Sequence, residues 1–176
     1  VIGFNIMVAM RDYEDYVRAA IQTGADLIIS GAGLPTSLPK IAGDADVKLA
    51  PIVSTARSAG VILRYWDKKY RRMPDLMIIE GPRAGGHLGF TQEQLTEYLP
   101  EGTYDVQVKE ILSVVRQYEE QYQRPIRTAL AGGISDRTRA AHALSLGVDA
   151  IPAASRFVTT EECDADIRYK ETYLKA

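Results

Sequence analysis

Short apolar runs alternate along this chain with longer stretches whose apolar residues recur at helical spacing. Val1 to Ala9 is nearly all apolar and reads as a strand. Asp12 to Thr23 reads as a helix with Tyr13, Tyr16, Val17, Ala20 and Ile21 on one face, closed by Gly24. Further strands are expected at Asp26 to Ser30, Leu49 to Val53, Asp75 to Glu80, Ile126 to Ala131 and Ala150 to Ala154. Between them, Gly31 to Pro39 reads as a loop, and Ser54 is placed to cap a helix from Thr55 to Lys69. A helix from Val106 to Tyr122 carries Val108, Ile111, Leu112, Val115 and Tyr118 on one stripe. Another begins at Asp136, its expected cap, and runs through Leu146 to stop at Gly147.

Strands alternating with helices of this length predict βαβ units and a parallel sheet. No dinucleotide fingerprint follows the first strand, so a Rossmann fold has no positive support. A barrel and a flavodoxin-like open sheet both fit the periodicity. In either, the glycines and polar residues gather in the loops after the strands, where α/β proteins place their sites.

Composition narrows the classes. The 176 residues are 46% hydrophobic and 25% charged with a formal net charge of -2, which is ordinary for one globular domain. That balance gives no electrostatic reason to expect nucleic acid or an anionic membrane surface, and the longest apolar runs are too short to span a bilayer. Cys163 is the single cysteine, so an internal disulfide framework and a cysteine-built metal site are excluded. No leader pattern is read, and the cytoplasm is the expected location.

The segment with the sharpest chemistry is Ile79-Glu80-Gly81-Pro82-Arg83-Ala84-Gly85-Gly86-His87-Leu88-Gly89, just past a strand. Glycines around one histidine let backbone approach a flat ligand closely. The histidine can reach over that ligand as a general base. A flexible loop with a solvated histidine fits the same residues.

Glu-Gly-Pro-x-Ala-Gly-Gly-His-x-Gly resembles the signature of nitronate monooxygenases, also called 2-nitropropane dioxygenases. The flavin-dependent enoyl-acyl-carrier-protein reductases look alike in this loop. Asn5-Ile6-Met7-Val8, Gly31-Ala32-Gly33-Leu34-Pro35, Ser54-Thr55-Ala56-Arg57, Ala131-Gly132-Gly133-Ile134 and Ser155 through Cys163 agree in order and spacing, so the resemblance covers essentially the whole chain. It implies an α/β fold, a (β/α)8 TIM-type barrel holding FMN, present here as an incomplete barrel of about six βα units in one domain. On that alignment Val1 begins near the third strand. Further βα units before Val1 and a C-terminal segment are then expected, since an opened barrel would leave unpaired strand edges.

The resemblance also implies roles. His87 would be the catalytic base or would orient substrate. Gly85, Gly86 and Asn5 would line the flavin. Asn5 is equally read as a satisfied strand-end polar group, and Glu80 either contacts the cofactor or holds its loop by hydrogen bonds. Gly132 and Gly133 would hold the phosphate, helped by the positive end of the helix that starts near Asp136; a tight strand-to-helix turn is the other reading of the pair. Ala154 and Ser155 would complete that site. Here the chain departs from the family, whose last strand usually ends Met-Gly-Thr-Arg-Phe and here reads Ala153-Ala154-Ser155-Arg156-Phe157. Ala154 keeps the N–H donor but adds a methyl, and Pro152 removes a donor within an expected central strand.

The implied activity is FMN-dependent oxidation of alkyl nitronates with molecular oxygen. The alternatives are enoyl-thioester reduction from a reduced nicotinamide donor, and a non-catalytic remnant that binds flavin or phosphate. The expected partners are small molecules, with a homodimer as the candidate assembly. His142, in mid-helix, reads as surface or packing, and Cys163 as a structural thiol. The run Arg64 to Arg72 reads as a solvated helix end from which Tyr65, Trp66 and Tyr70 could pack inward.

Overall fold

The apolar runs pair side by side in the order in which they occur. The computed structural model describes residues 1–175. In chain order the elements are β1 (Gly3–Met7), α1 (Tyr13–Gln22), β2 (Leu27–Gly31), α2 (Leu38–Ala42), β3 (Lys48–Val53), α3 (Ala56–Tyr70), β4 (Leu76–Glu80), α4 (Gln92–Tyr98), α5 (Asp105–Tyr122), β5 (Arg127–Ala131), α6 (Arg137–Ser145), α7 (Ser155–Val158) and α8 (Ile167–Lys175). Among the described residues the five strands form one sheet in the order β1-β2-β3-β4-β5, every pair parallel. A doubly wound open sheet reverses its strand order at a switch point. This sequential order does not reverse, which makes it an arc of a barrel and removes the flavodoxin-like alternative.

The strands are apolar on both faces, and the two faces meet different surroundings. Ile6, Ile28, Leu49, Met77, Ile79 and Leu130 point to the helices, where they meet Val17 of α1, Ile62, Leu63 and Trp66 of α3, and Val108, Ile111 and Val115 of α5 in one buried core. The alternate residues Asn5, Ile29, Ile52 and Ile78 face the other way and line a cavity. Tyr16, expected on the buried face of α1, is half exposed; Tyr13, Val17 and Ala20 carry that face.

Trp66 is fully buried, and its indole Nε1 donates to the Pro35 carbonyl (3.1 Å). The basic helix end therefore packs its one tryptophan under the loop after β2. That loop also contains α2, a short helix with proline in its first turn where Gly31 to Pro39 was expected to stay irregular throughout. The cap of α3 also differs from expectation. Thr55, not Ser54, accepts from the Ser58 N–H, and the Ser58 side chain answers it in a capping box. Asp136 caps α6 as expected, accepting from the Arg139 N–H (2.9 Å).

The expected sixth strand, Ala150 to Ala154, is reduced to one bridge, Ala129 to Ala150. Ala150 donates to the Thr128 carbonyl and accepts from Leu130 N–H, both at 3.1 Å. The next rung of a parallel ladder would need an N–H from residue 152, and Pro152 has none. The chain still runs on beside β5, so Ala153, Ala154 and Ser155 reach the same rim as the other strand ends.

Trp66→Phe keeps the ring in the core and orphans the Pro35 carbonyl. It should lower unfolding stability by about 1–3 kcal/mol, read from the denaturant midpoint at unchanged slope.

Candidate active site

Parallel strands deliver their C-terminal ends to one rim, and the loops that leave them meet there. The loop after β4 is packed onto the loop after β5. The Gly81 N–H donates to the Ala131 carbonyl at the end of β5 (2.8 Å), and within its own connection Arg83 Nη2 donates to the Leu99 carbonyl at the end of α4 (3.0 Å). Gly132 and Gly133 have φ of 106° and 70°, conformations that suit glycine. A Cβ on Gly132 would lie 3.0 Å from the Ala84 nitrogen, and one on Gly133 would lie 2.8 Å from the Arg83 Cβ. Gly132 is thus required by close approach to the backbone of the other loop, and Gly133 by its positive φ and the Arg83 side chain packed against it.

Beneath this contact lies a cavity of about 420 Å³. Ile29, Ile52 and Ile78 form its apolar floor, and Asn5 and Glu80 supply polar groups at strand ends. Gly85 comes from the loop after β4, Gly132 and Gly133 from the loop after β5, and Ala154 and Ser155 from the turn into α7. Of the residues expected to meet a cofactor, Gly86 alone does not line this cavity; it is exposed, with φ of 93°. His87 is exposed and lines an adjoining cavity of about 280 Å³, of which Ile52 and Glu80 are also walls. Ala154 has φ of -121°, so alanine sits there without the strain that a left-handed turn would impose.

Glu80 joins the two cavities, and its hydrogen bonds hold the loop. Its Oε2 accepts from the Ser54 hydroxyl (3.3 Å) and from the Gly89 N–H (3.2 Å). Burial pushes the carboxyl above the usual carboxylate range; the Gly89 and Ser54 donors pull the other way without offsetting it. The buried Tyr104 hydroxyl bridges the carbonyls of Ser54 (2.7 Å) and Glu80 (3.0 Å). Burial, then the nearby Glu80 charge, drive its titration far above the ordinary tyrosine value, so it stays a donor. Its ring meets Phe90 edge-on at 5.6 Å, which anchors the far end of the loop.

Sequence reasoning missed Ser54 and Tyr104. Two adjacent hydroxyl residues precede α3 and one N-cap is needed, so the sequence did signal that one hydroxyl was spare. Tyr104 lies 50 residues from Ser54, and no local pattern joins them. His142 is exposed and pairs with Asp105 (Nε2 to Oδ2 3.0 Å); both line a separate cavity of about 350 Å³ whose other walls include Ala131, Gly132 and Gly133. Among the described residues no cluster of three or more His, Cys, Asp or Glu could hold a metal ion, and no helix is long and apolar enough to cross a membrane.

Comparison with known proteins places this arrangement. Residues 1–176 match the family described as Nitronate monooxygenase. The chain belongs to the nitronate monooxygenase family. It is 27% identical over 173 residues to Rv1533 of Mycobacterium tuberculosis, whose name as a monooxygenase is provisional, across 98% of this chain and 39% of that protein. FabK from Thermotoga maritima aligns with a TM-score of 0.76 at 28% identity, across 99% of this chain and 47% of that one. The nitroalkane oxidase from Streptomyces ansochromogenes aligns with a TM-score of 0.67 at 19% identity, across 90% of this chain and 42% of that one, a likeness of fold. The chain spans less than half the length of each of these relatives. The family and these likenesses set the five strands in an incomplete TIM-type barrel.

Two outcomes follow from the rim. Gly133→Ala should cost about 1–3 kcal/mol in backbone strain, whereas Gly85→Ala, where an added Cβ meets nothing within 4 Å, should stay within about 0.5 kcal/mol; denaturant unfolding of both variants checks this. The folded chain holds the Glu80 proton more tightly than the unfolded chain. That carboxyl's contribution to stability therefore falls as pH rises from about 4.3, the ordinary glutamate value, through its higher folded value. Glu80→Gln removes the dependence, so the stability difference, variant minus wild type, should rise over that window in parallel urea titrations.

Proposed function

We propose that the cavity is the seat of FMN and that the protein is an FMN-dependent oxidoreductase acting on alkyl nitronates with molecular oxygen. The observation that carries this reading is convergence. Two glycine-bearing loops and the turn into α7 open onto one cavity at the strand ends, with a histidine in the adjoining space. The residues fit the group. The cavity, at about 420 Å³, is of ligand-site size. Its isoleucine floor suits a flat heteroaromatic ring, and Asn5 can donate and accept at the ring's polar edge. Gly132 and Gly133 would hold the phosphate, with Ser155 adding a hydroxyl and α6 directing its positive N-terminal end toward it. Barrel phosphate sites recur in the loops of the last two strands.

A bound flavin supplies the redox chemistry. The chain's own residues bind it, orient the substrate and move a proton. His87 would do the last, as general base or as the group that orients the substrate, from the loop that Glu80 restrains. The single cysteine suits a reducing compartment, and we place the protein in the cytoplasm.

The test is made on the complete natural protein. Oxygen uptake with an alkyl nitronate is expected, and His87→Ala should lower turnover by about a hundredfold to ten-thousandfold while flavin stays bound. Turnover unchanged in His87→Ala would remove that residue from the mechanism. Oxidation of reduced nicotinamide with an enoyl thioester, and no oxygen uptake, would replace the nitronate reading with a reductase.

A further inference from the structure

We propose that Ser54 and Glu80 form a latch that sets the position of His87, which makes Ser54 a positioning residue for the reaction. This rests on the reading of His87 as the group that acts on substrate beside the flavin.

His87 stands between two anchors. Upstream, the loop is fixed where Gly81 and Ala84 pack on Gly132, with the Ala84 N–H donating to the Gly81 carbonyl (3.1 Å). Downstream, the Gly89 N–H is held by Glu80 Oε2 (3.2 Å). Between them, a Cβ added at Gly85 or Gly86 would meet nothing within 4 Å, and among the described residues His87 has no hydrogen-bond partner of its own. The Gly89 anchor is therefore the nearer restraint, two residues away.

That anchor is only as fixed as the carboxylate that makes it. Ser54 is 4% exposed, and its hydroxyl is free for Glu80 because Thr55 has taken over capping of α3. The fit is close: a Cβ on Gly89 would lie 2.4 Å from Ser54 Oγ. Tyr104 holds the backbone of both latch residues, so the side chains work from fixed points. Without the Ser54 hydroxyl the carboxylate keeps its place in the wall and loses its orientation toward Gly89. The histidine then samples a wider volume, while the Gly132 and Gly133 contacts, set by the other anchor, are untouched. Misplacement of a reacting group by about 1 Å can cost on the order of a hundredfold.

The test uses Ser54→Ala in the complete natural protein, with histidine ring NMR as a readout that needs no turnover. The His87 signal is assigned by its loss in His87→Gln and followed in flavin-free and FMN-loaded protein. The expected result is a shifted or broadened His87 signal in both forms, an unmoved His142 signal, kcat lower by about 10–100-fold, and FMN affinity within about threefold of wild type. Glu80→Asp keeps the charge but withdraws it by one methylene, and it should give the same His87 change; it decides the matter if Ser54→Ala does not fold. An unchanged His87 signal in the folded variant overturns the latch. So does loss of FMN affinity without a His87 change, because the pair would then be holding cofactor. Full turnover in His87→Ala would instead defeat the functional reading while leaving the NMR result to judge the latch.

Discussion

The rim of this barrel depends on a contact that leaves no room for a side chain on either of two adjacent glycines. Gly132 and Gly133 turn with positive φ directly against Arg83 and Ala84, so the loops after β4 and β5 are fitted to each other. Neither loop is shaped by the sheet alone. Once they are joined, Gly85 and the glycine pair face one cavity from two directions, and the path of the chain toward His87 is set. The same contact explains why the glycine pair is needed before any ligand is considered.

The floor under this contact comes from register. Because the strands are parallel and sequential, every second residue faces the cavity and the rest face the helices. An isoleucine on either face looks the same in the sequence, so the runs read as continuous apolar strands. Asn5 and Glu80 are polar exceptions on the cavity side, and Ser30 is one on the helix side, where its hydroxyl meets that of Tyr13 (2.7 Å).

The elements with strong local signals were legible in the sequence. Five strands showed as apolar runs, and α3, α5 and α6 showed through spacing and caps to within a residue or two of their observed ends. Failures came where one residue's chemistry outweighed the pattern. Pro152 stops the ladder that Ala150 begins. Thr55 has the extended backbone and the Ser58 partner that a cap needs, while the Ser54 hydroxyl goes to Glu80. The short α4, with its Thr91 and Gln94 capping box, carried a readable signal but little apolar periodicity, since none of its residues is buried. In the site, residues that share a loop were found together, whereas Ser54, Glu80 and Tyr104 are brought together by the tertiary fold.

A flavin whose phosphate is held by the glycine pair and the turn at Ala154 and Ser155, with its ring on the isoleucine floor, should be told apart from the same flavin without phosphate. Titrating the flavin-free, complete natural protein with FMN and with riboflavin measures this, because the two ligands differ in that phosphate alone. FMN is expected to bind with one site per chain and at least about tenfold more tightly than riboflavin, a difference of about 1.4 kcal/mol. Equal affinity for the two ligands, or no binding of either, would rule the phosphate site out.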